Sequence, residues 1–126
     1  MAETIKKRFD NPDEVREVPK ARVEVISLGD IQAMRGTFEP GWKWSECVKP
    51  IVGTDSCEVA HLGHILSGTM VVRMNDGTEH TLHAGDAASI PPGHDAWVTG
   101  TEKCVFVDFQ GGAATYAKPK ESPAKA

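Results

Sequence analysis

Two segments of this chain carry the residue types that could do chemistry. One is His61-Leu62-Gly63-His64-Ile65-Leu66-Ser67-Gly68. The other runs from Gly85 to Trp97 and contains Pro91-Pro92-Gly93-His94-Asp95-Ala96-Trp97. Each joins a short apolar run to glycine and carries a histidine. Imidazole and thiol are the donors that soft and borderline metals prefer, and the chain also holds three cysteines, Cys47, Cys57 and Cys104. The chemistry so indicated is mostly metal-based. No nucleophile triad and no catalytic carboxylate pair stands out, so no catalytic group is assigned.

Side chains of this kind need a scaffold to bring them together, and short strands supply it. Arg22–Leu28 alternates and stops at Gly29-Asp30, and Ile31–Phe38 is its expected partner. Trp42–Val48 reads as a further strand, halted by Lys49-Pro50, with a loop over residues 51–56. Cys57–Leu66 and Thr69–Met74 follow as strands. Asn75-Asp76-Gly77 then signals a hairpin with a primed turn. Thr78–Leu82, Ala87–Ile90, Ala96–Val98 and Cys104–Phe109 complete the set. The fold class is therefore all-β, a sandwich or closed barrel. Residues 1–21 read as an arm with one short strand, 22–112 as the barrel, and 113–126 as a disordered tail.

Composition narrows the function. The chain has 126 residues, 40% hydrophobic and 25% charged, enough for one domain with its own core. A net charge of −4 without a basic cluster argues against nucleic acid. No apolar stretch approaches the ~20 residues of a membrane helix, and no apolar segment follows the basic N-terminus as in a secretory signal. An odd cysteine count points to free thiols in a reducing cytoplasm.

The spacing Gly85, Pro91, Gly93 resembles the second signature of the cupins, small antiparallel jelly-roll barrels. The likeness covers roughly residues 22–110. The stretch from Gly41 to Glu46 and the run Pro91–Trp97 are similar to a subgroup of small bacterial cupins, largely without an assigned reaction. The first cupin signature is altered. Cys47 and Lys49 stand where that family has two histidines after Gly41, and His61 stands at the glutamate position before Gly68. The last histidine position holds Ala96, with His94 two residues earlier. The resemblance implies a rebuilt ligand set of Cys47, Cys57, His61 and His94. Cys57 shares strand parity with His61, and His94 shares it with Ala96.

Such a set suits a divalent metal, zinc first, with iron, nickel or copper as alternatives. Each residue also has a plainer reading: Cys57 and Cys47 as core filler, His94 as a turn residue. Cys104 reads as core, and His64, His80 and His83 read as lying outside the site. Asp95 caps a turn or orients His94. Trp44 and Trp97 would wall the barrel mouth against a small ligand, or would simply pack. Three functions stay open. The chain is a metal-dependent enzyme of oxygenase or isomerase type, a small-molecule sensing module with a structural or absent metal, or an interaction protein with a vestigial pocket. A homodimer is expected, because exposed strand edges need covering.

Overall fold

The computed structural model describes residues 3–109. The expected tail, 113–126, and its Gly111-Gly112 boundary lie outside the described residues. Among these residues nine strands and two one-turn helices follow in order. They are β1 Glu14–Val18, β2 Ala21–Leu28, β3 Ile31–Phe38, α1 Trp44–Cys47, α2 Lys49–Val52, β4 His61–Ser67, β5 Thr69–Met74, β6 Glu79–His83, β7 Ala87–Ile90, β8 His94–Thr99 and β9 Cys104–Asp108. Every strand pair is antiparallel.

The strands form two sheets. One has the order β1-β2-β3-β9-β4-β7, the other β6-β5-β8. Their inner faces enclose the core, which includes Val23, Met34, Ile65, Met70, Val72, Ala96 and Phe106. Alternation puts these residues inside. Along β8 the burial alternates residue by residue, so His94, Ala96 and Val98 turn inward. The result is the all-β architecture expected from the turn spacing, in the jelly-roll form that the cupin resemblance implies.

The expected strand over Trp42–Val48 is instead occupied by α1, with Val48 as the cap between α1 and α2. Trp44, Cys47 and Val48 are buried, at the i, i+3, i+4 spacing of one helix face. Trp42 and Trp44 also fit strand alternation, so a run this short satisfies both periods. Pro50 sits in the first turn of α2, where its missing N–H costs nothing. Asp95 decides the matter from outside, since its Oδ1 accepts the Ser45 backbone N–H at 3.0 Å. That bond gives α1 the cap its own Lys43 does not supply.

The hairpin forms where expected, but not with the expected turn. Only Gly77 has positive φ, at 93°, and it donates its N–H to the Met74 carbonyl. The loop is therefore three residues closed by a left-handed glycine rather than a two-residue primed turn. The arm contributes β1, which pairs with β2 along its length.

Candidate metal centre

The strand expected over Cys57–Leu66 starts only at His61. Cys57 nevertheless reaches the barrel interior, by a different route. It forms an isolated bridge with His94: its N–H donates to the His94 carbonyl at 2.7 Å, and Gly93 N–H donates to the Cys57 carbonyl at 2.7 Å. β4 delivers His61 from the larger sheet, and β8 delivers His94 from the smaller one. The three donor atoms lie within 4.8 Å of one another, and all three residues are buried.

Hydrogen bonds orient both rings. His61 Nδ1 meets Asp108 Oδ2 at 2.5 Å. His94 Nδ1 meets the Pro91 carbonyl at 2.8 Å. A carbonyl and a carboxylate can only accept, so each Nδ1 carries a proton and each Nε2 is the ring nitrogen turned toward the other donors. His61 Nε2 lies 3.8 Å from Cys57 Sγ. Burial pushes the Cys57 thiol up to about 11. Burial also holds His94 below the ordinary histidine value, partly opposed by its bond to Pro91. The site thus presents a His94 ring held toward its neutral form, a Cys57 thiol that burial keeps protonated, and a His61 ring anchored on Asp108.

Asp108 is the functional residue the sequence did not reveal. It is fully buried on β9, and its second oxygen accepts the Leu62 N–H at 3.3 Å. It stands 47 residues from His61 and near the end of an apolar run. Its one signal was a lone carboxylate among Val105, Phe106, Val107 and Phe109.

The other expected site residues fall apart from this cluster. Cys47 is buried on α1 beside Trp44 and Val48, within the core, and is not one of the grouped donors. Trp44 lines the cavity at the donors, together with Trp42, Ala96 and Phe106. Trp97 does not, having the opposite parity to His94 and Ala96. Its ring packs instead under the Lys43 ammonium, 5.3 Å from the centroid. Asp95 caps α1 and leaves the orientation of His94 to Pro91. His64, His80 and His83 are exposed, and Cys104 is buried in the core. The cavity at the donors measures about 30 Å³ and has an apolar wall.

The donor set fits a divalent metal. Two imidazoles and one thiol leave room for a further ligand, and outer partners hold both rings.

Residues 54–109 match the cupin domain family. A structure of unknown function from Rhizobium leguminosarum bv. viciae 3841 superposes with a TM-score of 0.63 at 18% identity, covering 86% of this chain and 96% of that one. KdgF from Halomonas sp. gives 0.55 at 19% identity, with 76% and 83% covered. A cupin-like protein from Thermotoga maritima gives 0.52 at 17% identity, with 79% and 72% covered. At such identities the likeness is one of fold. No curated protein matches the chain. Family match, neighbouring folds and the two-sheet barrel with its inward histidines agree: residues 54–109 match a cupin domain, and the described residues fold as a cupin-like barrel.

Proposed function

We propose that this cupin-like barrel binds a small organic molecule at a single divalent metal held by Cys57, His61 and His94, zinc being first choice and iron, nickel or copper the alternatives. One observation carries the reading: Cys57, His61 and His94 bring buried donor atoms within 4.8 Å of one another, with both ring Nδ1 atoms held by acceptors. Histidines that hold a metal donate their other ring N–H to a carboxylate or carbonyl, the arrangement both rings have here. The bound metal would supply Lewis acidity to a ligand in the remaining coordination position. Three protein donors favour an open site over a closed structural one. The reading also includes a homodimer.

The test is metal content of the purified full chain after zinc loading. About one zinc per chain is expected, lost in His61→Ala and in Cys57→Ala and retained in Cys47→Ala. A wild-type chain that takes up no zinc, or a His61→Ala variant that keeps it, removes the proposal. Loss in Asp108→Asn is expected to be partial, about 10- to 100-fold in affinity.

A further inference from the structure

A second cavity adjoins the first. It measures about 330 Å³. Val72, Leu82 and Ile90 line both cavities. β6 carries Leu82 and β7 carries Ile90, and each is the last strand of its own sheet. The space therefore lies where the two sheet edges face each other without a shared ladder.

Size separates the roles of the two cavities. About 30 Å³ holds on the order of two water molecules. The outer 330 Å³ falls within the roughly 300–1,000 Å³ of small-molecule pockets. Charge defines the occupant. Among the described residues no Lys, Arg, Asp or Glu lines either cavity, and the polar side chains of the outer one are His80 and Ser89. An ion seated against its apolar wall would shed part of its water and gain no opposite charge.

Resting on the metal-centre reading above, we propose that the outer cavity holds the body of the ligand. That ligand is an uncharged, mainly apolar molecule whose metal-binding end reaches between Leu82 and Ile90 to the donors. Ionic substrates are excluded by the walls rather than by the metal.

The full chain, metal-free and zinc-loaded, would be titrated with hexanamide, hexanoate and hexylammonium. Methyl resonances of Met74, Leu82 and Ile90 report the binding. Hexanamide should shift them saturably in both forms, with a Kd lower by about tenfold or more than either ion. Ala88→Lys, or the more exposed Ser89→Lys if the first does not fold, should reverse the preference toward hexanoate. Hexanohydroxamic acid should bind at least about tenfold more tightly after zinc loading. Equal binding of the ions, no saturable shift with hexanamide, or an unchanged preference in the lysine variants would overturn the ligand class. A zinc-loaded chain that gains nothing for the hydroxamic acid would overturn the link to the donors. If zinc does not bind while the hexanamide preference stands, the metal centre alone falls and the ligand class survives.

Discussion

The carboxylate of Asp108 is enclosed by protein, and an enclosed charge is costly unless it is bonded. Its two oxygens meet His61 Nδ1 and the Leu62 N–H, so the barrel satisfies it with the same bond that orients the ring. Cys57 holds the complementary place on the acid–base side. With its thiol raised to about 11 by burial, it is protonated near neutrality, and a metal must displace that proton to gain a thiolate. His94, held below the ordinary histidine value by burial, is neutral near and above neutral pH and releases no proton there. Zinc affinity should therefore rise about tenfold per pH unit from pH 7 to 9. Calorimetry in two buffers of different ionisation enthalpy should find about one proton released per zinc, and none in Cys57→Ala. Equal release in that variant would show the sulfur is not a ligand.

At the scale of elements, β4 and β9 position the His61–Asp108 pair, and their contact is close at Gly63. A Cβ there would meet the Val107 carbonyl oxygen and the Phe106 ring. The carbonyl is backbone and cannot swing away. Gly63→Ala is expected to destabilise the fold by about 1–3 kcal/mol, read as a lower urea midpoint with unchanged slope. A neutral effect would mean that the two strands part more easily than their register indicates. Helix α1 makes a different point. Its buried spacing is too short to separate helix from strand, and a carboxylate fifty residues away supplies the cap. The cupin resemblance put Cys47 in the ligand set through its position after Gly41, and its sulfur is not among the grouped donors.

For the whole molecule, the outer surface bears on assembly. Leu62, Leu66 and Phe109 are each more than half exposed, and Phe109 N–H donates to the Leu62 carbonyl. Leu62 and Phe109 thus begin an apolar patch next to the β4–β7 edge. We expect light scattering at micromolar concentration to give about twice the 13.6 kDa chain mass, and Leu62→Glu to return it to the monomer. A wild-type monomer would remove the dimer. No described helix is long and apolar enough to cross a membrane.

Sequence alone determined the barrel, because strand alternation and turn residues are local properties. β3, β5 and β7 begin and end where alternation and punctuation place them. It also singled out His61, Cys57 and His94 as metal-ligand candidates. Tertiary structure decided the rest. Asp108 became a partner of His61 only when β9 paired with β4, and Cys57 entered the site through its bridge to His94 rather than through a continuous strand. Cys47 and Trp97 lie outside it, one in the core on α1 and the other turned away by parity. Donor convergence depends on contacts between distant segments, and no local pattern encodes those distances.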